Sequence, residues 1–201
     1  MKLYYSPGAC SLASHIVLAE SGATYSVERA DIRAKKTESG GDFTAISPRG
    51  AVPVLVLDDG EVLTEGVAIM QFVADSVTPG KLPAAGTLAR ARLQEALNFV
   101  SSEVHKTYSP FFRGLEGAVK EAQVALLNSR LALIEGRLAD RRDYLVGADF
   151  TPADAYLFTV TNWSKGIGHD LSAFPKLEAL RARIAARPAV QAAMKAEGLL
   201  K

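Results

Sequence analysis

The only cysteine of this chain stands where a thiolate is favoured. Cys10 follows Ser6-Pro7-Gly8-Ala9, a pattern that predicts a turn between a first strand and a first helix. The sulfur then lies at a helix N-terminus, where free backbone N–H groups and the helix dipole favour an anion. A cysteine free in solution has a thiol pKa of about 8.5. At a helix N-terminus we expect a larger fraction of the cysteine to be ionised than in solution. A small, buried, apolar residue is the structural alternative.

His105 belongs to a polar stripe on a predicted helix. Asn98, Ser102, His105 and Ser109 recur at 4-3-4 spacing beside an apolar stripe. Solvated helix faces favour Lys and Glu, so this composition predicts a half-buried face that lines a cleft or an interface. With a reference pKa of about 6.5, His105 is a candidate for proton transfer.

Two further positions have backbone groups suited to a peptide-like ligand. Val52-Pro53 precedes an apolar strand. A cis X-Pro bond would turn the backbone groups of Val52 outward, but only about 5–6% of such bonds are cis, and the residues leave the isomer open. Thr64-Glu65-Gly66 opens a helix whose first N–H groups can take a carboxylate. Gly66 permits close approach, and Glu65 either accepts from an ammonium or complements the helix dipole.

Composition and charge exclude several classes of partner. The chain has 201 residues, of which 48% are hydrophobic, and its net charge is only +1. We therefore expect no nucleic-acid or membrane partner, and the N-terminal residues lack the apolar run of a signal peptide. The spacing of the three histidines predicts no metal site, with His15 as a packed structural residue and His169 in a surface loop. One cysteine excludes an intrachain disulfide and fits a reducing compartment, so we expect a cytoplasmic protein.

These residues must be positioned by two different kinds of structure. Strand signals alternate with helix signals over the first eighty residues, which predicts a mixed four-stranded sheet with helices packed on it. The predicted strands are 2–5, 25–28, 54–57 and 61–64, and the predicted helices are 10–21 and 65–77. The Pro- and Gly-rich segment 79–86 reads as a linker. We therefore predict an α/β domain over 1–78 and an all-helical domain over 87–201.

The helical part has two apolar stripes and one sharp helix start. Each stripe has 4-3-4 spacing for burial against other helices: Leu93, Leu97, Val100 and Val104, and then Leu127, Leu131, Ile134 and Leu138. Thr151-Pro152-Ala153-Asp154 predicts a helix N-terminus, with Thr151 as the cap and Asp154 opposing the dipole.

Four separated segments together resemble the cytosolic glutathione transferases. They are 4–15 (YYSPGACSLASH), 48–53 (PRGAVP), 63–69 (LTEGVAI) and 151–156 (TPADAY). Cys10 and the segment 103–106 resemble the bacterial beta class in particular. The resemblance covers essentially the whole chain, and it implies a thioredoxin-like first domain, a helical second domain, a homodimer, and a detoxifying enzyme that uses glutathione as co-substrate.

The resemblance also implies roles for individual residues. Cys10 lies beside the glutathione sulfur. Val52 pairs its backbone with the cysteinyl part of glutathione, before a cis Pro53. The γ-glutamyl end is held by Glu65 and Gly66, and the glycine carboxylate by Lys35. The helical domain, of either subunit of the dimer, completes the site with Asn98, Ser102, Glu103 and His105.

Two departures from the wider family bear on these roles. Many transferases outside the beta class have Ser where Gly66 stands, so only the backbone donor remains here. Other classes use a Tyr or Ser near the N-terminus to stabilise the thiolate, and Tyr4, Tyr5, Ser6 and Ser11 are all present. We favour Cys10 because of its local match.

The predicted function is conjugation of the glutathione thiolate to electrophilic, mostly apolar substrates. Tyr108, Phe111, Phe112 and Trp163 are candidates for the substrate cleft, although each also suits a core. The nearest alternative is a glutathione-dependent thiol–disulfide oxidoreductase or reductive dehalogenase, in which Cys10 forms a mixed disulfide that external glutathione resolves. A non-catalytic binder of apolar ligands is the alternative of another class.

Overall fold

A computed structural model describes residues 1–200 of the chain. By packing, the chain divides into two compact units, one of Met1–Leu82 with the segment from Ala186 onward, and one of Pro83–Ala185. The division at Leu82 falls inside the segment expected as a linker. The domain boundaries 1–78 and 87–201 stay a prediction, since packing groups the last helix with the first unit. Within residues 1–200, no helix is both long and apolar enough to cross a membrane.

The first unit is built on a mixed sheet of five strands in the order β3-β2-β1-β4-β5. The strands are β1 (Lys2–Tyr5), β2 (Ser26–Asp31), β3 (Lys36–Thr37), β4 (Val54–Val56) and β5 (Val62–Thr64). β1 runs parallel to β2, and the other neighbours are antiparallel. The thioredoxin-like mixed sheet is confirmed with one strand more than the four predicted. The extra strand is β3, two residues in a segment for which no strand was predicted.

Alternation along β1 explains how both faces of the sheet are covered. Leu3 and Tyr4 point to opposite faces. Tyr4 packs with Phe43 and Val54 on one side. The other face is covered by two helices that pack on each other, α1 (Ser11–Ser21) and α2 (Gly66–Val77).

The last helix, α9 (Pro188–Ala196), packs against α1. Arg187 Nε donates to Glu20 at 2.6 Å. At the other end, the buried His15 ring lies 2.9 Å from the carboxylate of Glu197. The prediction that His15 is a packed, hydrogen-bonded residue is confirmed.

The second unit is helical, as predicted. It contains α3 (Leu88–Phe99), a π-helical turn (Val100–His105), α4 (Lys106–Tyr108), α5 (Gly117–Arg137), α6 (Pro152–Thr161), α7 (Trp163–Ile167) and α8 (Pro175–Ala185). All eight residues of the two predicted apolar stripes are buried. The 3.6-residue period therefore identified the core face of these helices.

The π-helical turn departs from the regular helix expected over this region. A π turn inserts one residue into the helical repeat, which rotates the side chains that follow. Asn98 and Ser102 are exposed, whereas His105 and Ser109 are half-buried. The predicted polar stripe is thus split between two environments.

The start of α6 follows the predicted capping pattern. The Asp154 carboxylate accepts the backbone N–H of Thr151 at 2.8 Å and that of Leu145 at 2.7 Å. Complete burial raises the pKa of Asp154 to about 6, against the effect of these hydrogen bonds, which favour the carboxylate. Every residue of Pro152–Thr161 is buried. The cap therefore fixes a helix at the centre of this unit.

Candidate functional site

Cys10 is the N-cap residue of α1 and is half-buried. The turn before it is held by the buried Ser11, whose hydroxyl accepts the N–H of Ser6 at 3.1 Å. The carboxylate of Glu197 accepts the N–H of Gly8 at 2.9 Å. The same carboxylate group contacts His15, so α9 and α1 together fix the turn that carries the cysteine.

Cys10 and Val52 meet in the structure. The Cys10 thiol donates to the Val52 carbonyl oxygen at 3.4 Å. The Val52–Pro53 peptide bond is cis, as the family resemblance implied. Two residues 42 positions apart thus place a sulfur and a main-chain acceptor side by side.

The loop 47–53 also holds Lys35. The Lys35 ammonium donates to the Gly50 carbonyl oxygen at 3.0 Å. A Cβ on Gly50 would lie 2.5 Å from Lys35 Nζ, and Gly50 has a φ of +58°. The positive φ favours glycine at this position, and a Cβ there would displace the end of the Lys35 side chain. The buried Ser47 supports the loop through its hydroxyl, which donates to the Ala51 carbonyl oxygen at 3.0 Å.

Glu65 has an unusual backbone conformation immediately before α2. Its φ of +66° lies in a region that non-glycine residues rarely adopt. Its exposed carboxylate forms an ion pair with the guanidinium of Arg49, which is also exposed. Such outliers persist where the surrounding structure holds them, and they cluster at ligand sites.

Gly66 is the first residue of α2 and lies against Pro53. A Cβ placed on Gly66 would be 3.5 Å from Pro53 Cγ and 3.8 Å from the hydroxyl oxygen of Ser14, which is ordinary contact. The backbone of Gly66 has an ordinary φ. A serine would therefore fit at this position without strain. Neither the space nor the backbone conformation requires the glycine.

The structure thus gathers the six candidates of the first unit around one loop. Cys10, Lys35, Glu65 and Gly66 each lie against a residue of 49–53, a loop that itself contains Val52 and Pro53. The arrangement offers a cation, an anion, two helix N-termini and a main-chain acceptor. It suits an extended ligand with two carboxylates, one ammonium and a thiol.

Three of the other residues considered for thiolate stabilisation, Tyr4, Tyr5 and Ser11, have structural roles. Tyr4 and Tyr5 are buried, and burial raises the pKa of each above its usual value. Ser11 supports the turn through its hydrogen bonds to Ser6. Ser6 is half-buried, as Cys10 is.

The four candidates of the helical unit have separate surroundings. The Ser102 hydroxyl donates to the Asn98 carbonyl oxygen at 2.9 Å, and both residues are exposed. The Glu103 carboxylate lies 2.8 Å from Arg130 Nε of α5. Their roles in ligand binding stay predictions.

His105 lies in a cluster of aromatic rings. Its Nδ1 is 2.7 Å from the Tyr156 hydroxyl, and its ring centroid is 4.9 Å from that of Trp163. Phe112 and Tyr108 contact the same indole. Burial, and secondarily the charge of Lys106, lowers the pKa of His105 to about 4. The imidazole is therefore neutral at pH 7 and has one N–H donor.

Sequence reasoning missed four residues that shape these surroundings: Arg49, Ser47, Tyr156 and Glu197. Two of them, Arg49 and Tyr156, stand inside segments that carry the family resemblance, but the resemblance assigned them no role. Glu197 had no local signal, because its partners Gly8 and His15 are more than 180 positions away. Over residues 1–200, no three metal-ligating side chains come together.

Two family models match the chain in order. The N-terminal domain of glutathione S-transferase matches residues 8–76, and the C-terminal domain of glutathione S-transferase matches residues 98–188. Together they cover most of the chain, including every candidate site residue.

Individual relatives agree with these models. Glutathione S-transferase GstA of Escherichia coli O157:H7 is 44% identical, over 99% of this chain and 100% of its own. The bacterial beta class glutathione S-transferase of Sphingomonas chungbukensis is 44% identical, with a TM-score of 0.93 and full coverage of both chains. A sphingomonad glutathione S-transferase complexed with glutathione is also 44% identical, with a TM-score of 0.91 and the same coverage.

Proposed function

The chain belongs to the glutathione S-transferase family, and from this premise we propose that it conjugates the glutathione thiolate to small, mostly apolar electrophiles. The observation that carries the proposal is the loop 49–53, which brings Cys10, Lys35, Glu65 and Gly66 around Val52 and Pro53. The bacterial relatives of the same length support the activity.

Each polar group of glutathione has a matching group in this site. Lys35 takes the glycine carboxylate, and Glu65 takes the γ-glutamyl ammonium. The first N–H groups of α2, starting at Gly66, take the γ-glutamyl carboxylate, because a helix N-terminus leaves its first donors unpaired inside the helix. The backbone of Val52 pairs with the cysteinyl amide. These contacts fix the ligand at both ends and place its sulfur beside Cys10.

The chemistry then depends on keeping that sulfur ionised. The N-terminus of α1 favours negative charge at Cys10 and at a neighbouring sulfur. His105 acts as a neutral hydrogen-bond donor to the thiolate, since its low pKa leaves it uncharged at pH 7. Positioning supplies the rest of the rate acceleration, because a bound thiolate attacks a bound electrophile as if the two were parts of one molecule.

Steady-state assays test the proposal and separate it from its rivals. Reduced glutathione is supplied with a chlorinated aromatic, a glutathione mixed disulfide or a dehalogenation substrate. We expect saturable, glutathione-dependent turnover of the chlorinated aromatic, well above the rate without enzyme. Turnover of only the disulfide or the dehalogenation substrate would replace the proposal by a Cys10-based redox activity. Tight binding of apolar compounds without turnover of any would make the protein a binder.

We also propose that the protein acts in a reducing compartment such as the cytoplasm, and as a homodimer. The single cysteine supports the compartment. For the dimer, the support is an apolar stripe on α5 with a seven-residue repeat. Val119, Leu126 and Leu133 are 65, 39 and 57% exposed, and each is followed three positions later by a small residue (Ala122, Ser129 and Gly136). Such a repeat is typical of a helix that packs on another helix.

A charge in the middle of this stripe should dissociate the dimer. Leu126→Glu places a carboxylate where an apolar contact is lost, so we expect sedimentation velocity to show a monomer at concentrations where the wild type is dimeric. Leu200→Glu, at an equally exposed leucine near the end of the chain, is the matched control and should leave the mass unchanged. A dimer that persists in Leu126→Glu would place the interface elsewhere.

A further inference from the structure

Within residues 1–200, the Tyr156 hydroxyl is a hydrogen-bonding partner of the His105 ring, yet the proposed reaction leaves Tyr156 without a role. Its hydroxyl oxygen lies 2.7 Å from His105 Nδ1, and the two ring planes are nearly perpendicular, at 84°. Tyr156 is buried on α6, two residues beyond the capping carboxylate of Asp154. The hydroxyl is therefore held by a rigid element and is directed at one particular ring nitrogen.

A neutral imidazole has one donor nitrogen and one acceptor nitrogen, and the partner of one nitrogen decides the role of the other. A phenol is a far stronger acid than a neutral imidazole, and an imidazole nitrogen is a far better acceptor than a phenol oxygen. The favoured bond thus runs from the Tyr156 O–H to His105 Nδ1. The proton of the ring is then on Nε2.

We propose that Tyr156 is a positioning residue that fixes the neutral Nε2–H tautomer of His105, so that Nε2 is the donor presented to a thiolate sulfur. The role toward sulfur rests on the proposed transferase function, whereas the tautomer itself does not. A thiolate accepts hydrogen bonds and does not donate, so the opposite tautomer would present a lone pair to it.

The charged and titratable groups around the ring agree with this assignment. Lys106, the next residue, disfavours the imidazolium by its charge. From α5, Arg130 is paired with Glu103. Tyr108 stays neutral because burial raises its pKa to about 12, and its hydroxyl is 2.5 Å from the Ser164 hydroxyl. In the part of the chain that the structure describes, the ring contacts Tyr156 and Trp163, and the Tyr156 hydroxyl is the group placed to set the tautomer.

Two NMR observations on the full-length protein test the proposal. With uniform ¹⁵N labelling, His105 is assigned by comparison with His105→Gln, and its two ring nitrogens report the tautomer at pH 7. We expect a protonated Nε2 and an unprotonated Nδ1. In Tyr156→Phe the donated bond to the neutral ring is lost, so the pKa of His105 should rise by about one unit, the size of one ordinary hydrogen bond.

The opposite hydrogen-bond direction gives the opposite sign. If Tyr156 accepts from Nδ1–H, the wild-type proton lies on Nδ1, and Tyr156→Phe lowers the pKa of His105. Either result overturns the proposal. Tyr108→Phe is the matched control, because it removes another buried hydroxyl beside Trp163 and should leave the tautomer and the pKa of His105 unchanged.

A kinetic measurement connects the tautomer to function. In the conjugation assay at pH 7, kcat should fall in Tyr156→Phe while the KM for glutathione stays unchanged, because the ring is no longer held with its donor toward the sulfur. An Nε2–H tautomer in a protein without conjugating activity would contradict the proposed function and leave the tautomer assignment intact. An Nδ1–H tautomer in an active transferase would contradict only this inference.

Discussion

Replacing Glu65 with Gln should lower the affinity for reduced glutathione roughly 10- to 100-fold, the loss expected for one charge-assisted hydrogen bond of about 1.5–3 kcal/mol. The side chain keeps its shape and loses its charge, so the ligand ammonium meets a neutral amide. In the structure the carboxylate is exposed and forms an ion pair with the guanidinium of Arg49. Isothermal titration calorimetry measures the effect.

Glu61→Gln is the matched control for this experiment. Glu61 is also exposed and stands four residues earlier in the same hairpin. The two variants carry the same change in net charge, so a difference between them isolates the position of Glu65. Equal affinities in Glu65→Gln and the wild type would reduce Glu65 to a residue that complements the dipole of α2. A lower melting temperature in Glu65→Gln alone would point to the strained backbone at this position.

The fold was predictable where local patterns decide burial. The two 4-3-4 stripes on the helices are wholly buried, and the α6 cap forms where Thr151-Pro152-Ala153-Asp154 indicated it. Apolar residues that recur with a period of 3.6 lie on one face of a helix, and that face must be buried. The pattern is therefore sufficient to predict which residues form the core. β3 escaped prediction because a pair of residues is too short for an alternating signal.

The grouping of the last helix with the first unit was not predictable from local signals. Its contacts with α1 depend on Glu197 and Arg187, and nothing near those residues in sequence indicates their partners. A charged residue near a chain terminus is normally solvated, so burial of the Glu197 carboxylate is visible only in the folded structure.

In the candidate site, too, local features were predictable from the sequence and contacts between distant segments were not. Cys10, Glu65 and Gly66 each had a local reason to be chosen, namely a helix N-terminus. The cis isomer of Val52–Pro53 was left open by the residues and came from the resemblance, because the cis and trans forms differ by only about 0.5–1 kcal/mol. The pairing of Glu65 with Arg49 and of His105 with Tyr156 joins distant segments, and periodicity does not report such pairs.

Replacing Cys10 with Ala should abolish thiol–disulfide exchange and leave much of the conjugating activity. In exchange, the Cys10 thiolate attacks the glutathione sulfur of a glutathione mixed disulfide, the S–S bond breaks, and the other sulfur leaves as a thiolate. Glutathione thiolate then attacks the sulfur bonded to Cys10 and releases the enzyme thiolate and oxidised glutathione. The chain contains one cysteine, so no other residue can form that bond. Under the proposed mechanism, conjugation needs only the sulfur of glutathione, which the N-terminus of α1 and His105 would still stabilise.

Comparing Cys10→Ala with Cys10→Ser separates the covalent role of the sulfur from its hydrogen bond to Val52. A serine hydroxyl can still donate to the Val52 carbonyl oxygen that the thiol contacts at 3.4 Å, whereas alanine cannot. Both variants should lack exchange, and Cys10→Ser should match or exceed Cys10→Ala in conjugation. Exchange that survives in either variant would show that bound glutathione alone carries the reaction. Complete loss of conjugation with intact glutathione affinity would instead make the Cys10 sulfur indispensable to both reactions, and the proposed mechanism would fall.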